Sequence, residues 1–591
     1  MALPVFGAGI LSAVVYAPDA VVDALRRGAQ QGAVPWMAGG VVLIMLLFGF
    51  AYRSNVRERP DALGDYGAVR DRLGSGAGVV TGAALLVDYI FTVAVSVAAV
   101  TGLIEYLVPA ARGWEKQMAI LLIAVMTFVA LRVMRERARV LLAVWYGFLL
   151  VIGLLWAWST FFPSGLTLPP IEANAPTTTG IILAYAGAIA SGAVMVTGIE
   201  YLASAGPHHA PPRGQRAGLT LLIAVGAAAI GFFIVMWLAW ENRVNGYQSG
   251  PVILSVAHRA VGSTALTWAI AFFAAAILYA AASAIFRRFS NLAGSLAQDG
   301  FLPRQMSMPD DRLVFRGGVL TVAIASSLII FVVGPELDQL IHMYVVGLFV
   351  SVVLSQIAMV RHFTGKMAVA AGGRPRTVMA VKRVLHAVAA VVGALVLGVV
   401  AVFNFFLGAW MAVAMIIALV LMMRGIKKHY ERVRMDVAIP RGDHGVALPS
   451  GTIGVVLVTQ VHRPALRAVA YAKAARHSHL EAVAIQTDPQ EAKELRRSWG
   501  QIDTGVPLVV LDSPFRDMVA PVLTYVREMP RSSPRDMIVV YVPEYIVGHW
   551  WEQLLHNRSA ARLREELLNV PGVVVAAVPW QLESARATEK S

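Results

Sequence analysis

The stretch VVTGAALLVDYIFTVAVSVAAVTGLI, residues 79–104, carries one carboxylate in an otherwise apolar run. As a helix it is long enough to cross a bilayer, which takes about 20 residues. Asp88 sits near its middle, and Thr92 and Ser96 follow at steps of four. A helix places the three on one face. A charge at membrane depth costs about 2.5–3.5 kcal/mol on insertion scales and is kept where it faces an ion, a cavity or a partner. Asp88, Thr92 and Ser96 therefore mark the wall of a permeation site. The other reading is a carboxylate held in hydrogen bonds between packed helices.

The rest of the chain supports a membrane setting. Of 591 residues, 57% are hydrophobic and 15% charged, and mean hydropathy is +0.65. These values exclude an ordinary soluble enzyme and fit a multi-pass membrane protein in a lipid bilayer. There is no cysteine, which excludes disulfides, thiolate nucleophiles and cysteine-based metal sites. The net charge of +14 bears on topology and anionic lipid; no nucleic-acid polymer is expected as a partner. No cleavable signal peptide is expected.

Twelve apolar segments are predicted, near 3–25, 34–52, 77–108, 118–134, 139–162, 179–204, 216–240, 263–286, 318–334, 338–360, 384–405 and 407–425. Basic residues alternate between the loops. Arg53, Arg57, Arg59, Arg70 and Arg72 follow the second segment, and Arg287, Arg288, Arg304, Arg312 and Arg316 the eighth. Loops 163–178 and 335–337 carry no Lys or Arg. The positive-inside rule places both termini in the cytoplasm, with the chain in the cell inner (plasma) membrane.

Two segments contain glycine at their middle or start. The first holds Gly7 and Gly9, and the sixth holds Gly187, Gly192 and Thr197-Gly198. Broken helices at corresponding places point to a 5+5 inverted repeat, in which unwound backbone meets substrate or ion; the other reading is glycine serving close helix packing alone. Glu200 lies just past the second break, as an ion ligand or proton-carrying group, or as a wetted carboxylate at the helix end. Tyr16 and Tyr344 are placed to offer hydroxyls; each also reads as a packed or interfacial aromatic.

From about residue 430 the pattern changes. Apolar strands such as TIGVVLVTQ (452–460), LEAVAIQTD (480–488) and PLVVLDS (507–513) alternate with helical stretches. That alternation predicts a parallel α/β domain over 430–591, after a transporter domain over 1–429. Gln460, Asp488 and Asp512 fall near strand carboxyl ends, where ligands bind in such domains and where helix-capping residues stand as well. No Walker loop, nucleophile–base pair or metal spacing is found, so no enzymatic activity is expected.

These residues resemble the amino acid–polyamine–organocation superfamily, and within it the KimA-type potassium transporters, related to the KUP group. The carrying stretches are SAVVYAPDAVVDAL (12–25), AALLVDYIFTVAVSV (83–97), VTGIEYLASAG (196–206), LAQDGFLPRQ (296–305), MYVVGLFVSVVLSQIAMVRH (343–362) and LLHNRSAARLREELL (554–568). The resemblance implies a LeuT-like fold with broken first and sixth helices. It also implies proton-coupled potassium uptake, with K+ and H+ as transported ions. A universal-stress-protein-like cytoplasmic domain is implied that pairs two chains as a homodimer and takes cyclic di-AMP as a regulatory ligand. The family's ion-site residues fall on Tyr16, Asp88, Thr92, Ser96, Thr197, Glu200 and Tyr344.

One position departs from the family. Its first-helix Asp, seven residues before the tyrosine, is Gly9 here. The run Gly7-Ala8-Gly9-Ile10 is similar to the glycine-rich break of amino-acid permeases in the same superfamily, where free N–H groups hold a substrate carboxylate. Two transport readings therefore stand open from sequence, proton-coupled potassium uptake and proton-coupled amino-acid or amine permeation, beside a third in which the large C-terminal domain makes the protein a nutrient or nucleotide sensor that no longer transports.

Overall fold

The computed structural model describes residues 2–59, 64–132, 138–162, 178–204, 206, 209–244, 250–262, 265–307, 316–369, 373–438, 448–486, 489–513, 519–546 and 559–582. The chain forms two units, Met1–Ala438 and Ile439–Ser591. The first is helical: α1 (Ala2–Arg27), α2 (Val34–Glu58), α3 (Gly64–Leu73), α4 (Ser75–Leu107), α5 (Glu115–Arg132), α6 (Ala138–Phe161), α7 (Thr178–Gly192), α8 (Ile199–Ala203), α9 (Arg213–Glu241), α10 (Val252–Val261), α11 (Ala265–Gln298), α12 (Arg316–Val333), α13 (Leu337–Val369), α14 (Arg374–Phe403) and α15 (Trp410–Asp436).

Among the described residues, eleven helices are long and apolar enough to cross a membrane, counting Gly180–Leu202 as one. This makes the unit a multi-pass membrane bundle. The segment expected at 118–134 is α5, which carries Glu115, Lys116 and Arg132 at its ends and is not among the eleven.

Burial identifies the centre of the bundle. In α4, 94% of the most apolar window is buried, and in α1 89%, against 22% in α15. Helices buried all round need small residues where neighbours approach closely. Gly347 provides one such place: a Cβ there would lie 3.0 Å from the Ala84 carbonyl oxygen and 3.2 Å from the Asp88 nitrogen. α13 thus lies directly against α4 at Asp88.

The two expected helix breaks come out differently. The sixth segment is interrupted: α7 ends at Gly192, a 3-10 turn covers Ala193–Val196, Thr197 is extended, and Gly198 is left-handed at φ +81° before α8. Glycine adopts that conformation without steric cost. The expected break in the first segment is absent. α1 runs from Ala2 to Arg27 through Gly7 and Gly9, and backbone N–H groups inside a helix are already bonded. Here the glycines serve close packing. A Cβ on Gly7 would meet the Trp145 indole nitrogen at 3.2 Å, and one on Gly9 the Tyr201 ring at 3.1 Å.

The second unit is a five-stranded parallel sheet in the order β3-β2-β1-β4-β5. Its strands are β1 (Thr452–Leu457), β2 (His479–Gln486), β3 (Leu508–Asp512), β4 (Met537–Ile546) and β5 (Val573–Gln581), with helices α16 (Arg463–Ala474), α17 (Pro489–Gln501), α18 (Ala520–Glu528) and α19 (Ser559–Leu568) between them. Side chains alternate across a strand. Accordingly Ile453, Val455 and Leu457 join Val522, Val526 and Leu567 in one core, and Val456 joins Ala465, Val469 and Trp499 in another. Both faces of the sheet are covered, as continuous apolar strands require.

Candidate functional site

The site is built where α1, α4, α8 and α13 meet. Tyr16, Asp88, Thr92, Ser96, Thr197, Glu200 and Tyr344 are each at most 4% exposed. Thr92 Oγ1 donates to the Asp88 backbone carbonyl at 2.8 Å, the usual way a helix satisfies a buried threonine. Thr197 and Tyr344 hydroxyls are hydrogen-bonded to each other, which ties the interrupted sixth segment to α13. The Tyr16 hydroxyl lies against those of Tyr344 and Ser12. Glu200 is within electrostatic reach of Asp88, Asp65 and Arg288.

Two oxygens in this region are buried and take no hydrogen bond among the described residues: Asp88 Oδ1 and Ser96 Oγ. Buried polar atoms normally have partners, so unpaired ones mark where another species is held. Ser96, however, is separate from the Asp88 network. It lines an apolar cavity of about 250 Å³ with Val100, Leu122 and Phe272. Eight residues along a helix turn a side chain about 80° away from the start, which explains the separation.

Sequence reasoning missed Tyr201. Its hydroxyl donates to Asp88 Oδ2 at 3.1 Å and lies 3.2 Å from Thr92 Oγ1. Its ring stands over Gly9, and the Arg288 guanidinium lies 4.2 Å from the ring centroid. An aromatic after Glu200 gives no periodic signal; only the missing side chain at Gly9 hinted at a large neighbour. Asp65 was also missed. Buried in α3, it accepts from Tyr52 at 2.5 Å and Ser355 at 2.7 Å, tying α3 to α2 and α13.

A cavity of about 830 Å³ reaches Val15, beside Tyr16, and is lined further by Asp19, Ala98, Thr101, Glu105 and Glu336. Ala98 and Thr101 lie beyond Asp88 toward the C-terminal end of α4, so the cavity approaches the site from that end. Asp19 Oδ1 accepts from the Val252 N–H at 2.5 Å.

In the second unit, Gln460 and Asp512 are exposed at the carboxyl end of the sheet, while Asp488 lies outside the described residues. His462 caps α16 by accepting from the Ala465 N–H at 3.2 Å and bonds Tyr545 at 2.5 Å. His477 bridges Thr452 and Tyr541 at 2.9 and 2.8 Å. Burial holds its imidazole below the usual histidine range.

An interrupted helix facing a buried carboxylate inside a many-helix membrane bundle is the architecture of a transporter. The family model described as "Amino acid permease" matches residues 4–429, and the chain belongs to that family. The "KimA potassium transporter C-terminal domain" model matches residues 450–580. The chain is also similar to the potassium transporter KimA of Bacillus subtilis (strain 168), at 28% identity over 98% of this chain and 95% of that protein.

Proposed function

We propose that this protein takes up potassium by secondary active transport coupled to protons. The single observation that carries this is the buried Asp88 carboxylate, set beside the Thr92 hydroxyl with one oxygen held by Tyr201 and the other unpaired. Hard oxygen donors around a fixed negative charge suit a desolvated alkali cation. Asp88, Thr92, Thr197 and Tyr344 provide the cation's ligands, and Tyr16 helps close the site. Glu200, buried within electrostatic reach of Asp88, is the proton-linked group. The relative's similarity along nearly the whole chain supports potassium as the cation. The permease reading needed free N–H groups at Gly7–Ile10, and α1 is continuous there.

In this reading α5 is the twelfth crossing, the helices form a 5+5 inverted repeat, and both termini lie in the cytoplasm at the plasma membrane. The C-terminal domain binds cyclic di-AMP and pairs two chains. The test is uptake of rubidium, as a potassium tracer, into liposomes holding the purified protein. Uptake driven by an inward proton gradient supports the proposal. Uptake of amino acids without the cation overturns it.

A further inference from the structure

Tyr201 belongs to no ligand set derived above from sequence, yet it stands between the site and Arg288. It is 2% exposed. Its hydroxyl donates to Asp88 Oδ2 and lies 3.2 Å from Thr92 Oγ1. Its ring is wedged against the Gly9 backbone on α1: a Cβ at Gly9 would lie 3.1 Å from ring atom Cδ2. The Tyr89 ring packs beside it, with centroids 5.4 Å apart. Behind it the Arg288 guanidinium stacks at 4.2 Å, in the C-terminal half of α11, the helix from which the basic loop leads. The large cavity approaches from the other end of α4, through Val15 and Ala98. The cavity thus runs toward the site on one side and ends at Val15 and Ala98, while on the other side the site is closed by an aromatic ring backed by a positive charge.

We propose that Tyr201 is a positioning residue that acts as a latch: it closes the Asp88 site toward the basic face, and a cation at Asp88 releases it. The inference rests on the proposed cation transport. A cation that binds the unpaired Asp88 Oδ1 and is chelated through Oδ2 and Thr92 Oγ1 takes up the two oxygens beside which the Tyr201 hydroxyl now sits. A neutral phenol O–H cannot compete with a full positive charge for a carboxylate in a low-dielectric site. Binding therefore turns the O–H away and removes the bond that anchors the ring. Ligand binding shifts a conformational equilibrium only through a difference in affinity between its states, and this competition provides that difference. While the ring is latched, Arg288 lies across the exit and repels the cation. Once the ring swings, the guanidinium stacked on it is displaced as well.

The experiment uses the full-length protein, native, Tyr201→Phe and Tyr201→Ala, with two measurements. The first is potassium binding to purified protein. The second is rubidium efflux from preloaded liposomes into cation-free buffer. Tyr201→Phe keeps the ring and loses the competing hydrogen bond. It is expected to bind potassium about three- to tenfold more tightly, the size of one net hydrogen bond, and to release rubidium faster. Tyr201→Ala, with the ring gone, is expected to leak faster still; if it fails to fold, the Phe variant alone decides. Binding by Tyr201→Phe within twofold of native, with native efflux, overturns the latch while leaving the transport reading intact. Loss of binding in folded Tyr201→Phe also overturns it, because the hydroxyl is then a cation ligand. A native protein that binds no potassium overturns both.

Discussion

Gly198→Ala is the substitution in which the geometry of the helix break can be read as an energy. Gly198 has φ +81°, and a Cβ there would lie 2.7 Å from both the Gly9 carbonyl carbon and the Ile10 nitrogen. The left-handed conformation costs a non-glycine residue about 1–2 kcal/mol. Ordinary van der Waals contact begins at 3.4 Å, so α1 and the break must part by 3.4 − 2.7, or 0.7 Å. Both partners are backbone, and no rotamer change relieves the clash. Overpacking of this kind costs about 1–3 kcal/mol more. The sum, about 2–5 kcal/mol, is at least tenfold in an equilibrium constant even at its lower end. It also falls where Gly9 meets Tyr201, so the Tyr201–Asp88 bond is displaced with it. We expect purified Gly198→Ala to melt several degrees below native and to lose most cation uptake. The matched controls are Gly226→Ala in α9 and Gly398→Ala in α14, where a Cβ meets nothing within 4 Å. There the gain in helix propensity, about 1 kcal/mol, leaves melting unchanged or raised. Native melting and native uptake in Gly198→Ala would refute the reasoning.

Three further outcomes are expected. Gly347→Ala pushes α13 from α4 at the Asp88 backbone, where a Cβ would lie 3.0 Å from the Ala84 carbonyl oxygen; it should weaken cation binding at least tenfold, by about 1.4 kcal/mol or more, as measured by potassium titration. Asp65→Ala leaves the Tyr52 and Ser355 hydroxyls without their acceptor and should lower stability by about 1–3 kcal/mol, read as a drop in melting temperature. The third concerns pH and the C-terminal unit. His477 is held below its ordinary value by burial, so the unfolded chain binds its proton first as pH falls. Its contribution is full above the unfolded value of about 6.5 and is lost as pH drops through the lower folded value. His477→Gln should flatten the stability–pH profile of the full-length protein in that window, and an unchanged profile would contradict the assignment.

The sequence carried the features whose cost is local. Asp88 stood out because a carboxylate in an apolar run is expensive wherever the run packs. The strands of the C-terminal sheet were legible because strands covered on both faces are apolar throughout. Thr197-Gly198 marked a break that is present. Gly7 and Gly9 looked equally like a break and are helical, because glycine serves unwinding and close approach alike; only the neighbours, Trp145, Tyr201 and Gly198, decide between them. Tyr201 was invisible for the same reason, since its role comes from Asp88 on α4 and Gly9 on α1. Ser96 shares a four-residue spacing with Asp88 and Thr92, yet two turns of drift carry it into a different cavity. The strand order β3-β2-β1-β4-β5 is set by which helices pack on which face, and no single segment encodes it.

The most direct test of the central claim is potassium or rubidium uptake by native protein and Asp88→Asn in the same liposomes under an inward proton gradient. Asparagine keeps the shape of the side chain and removes its charge. Uptake in the native protein, and its loss in a variant that folds and melts as native does, is the predicted result. Uptake by Asp88→Asn at the native rate would contradict the account, because the site would then work without the charge around which it is built.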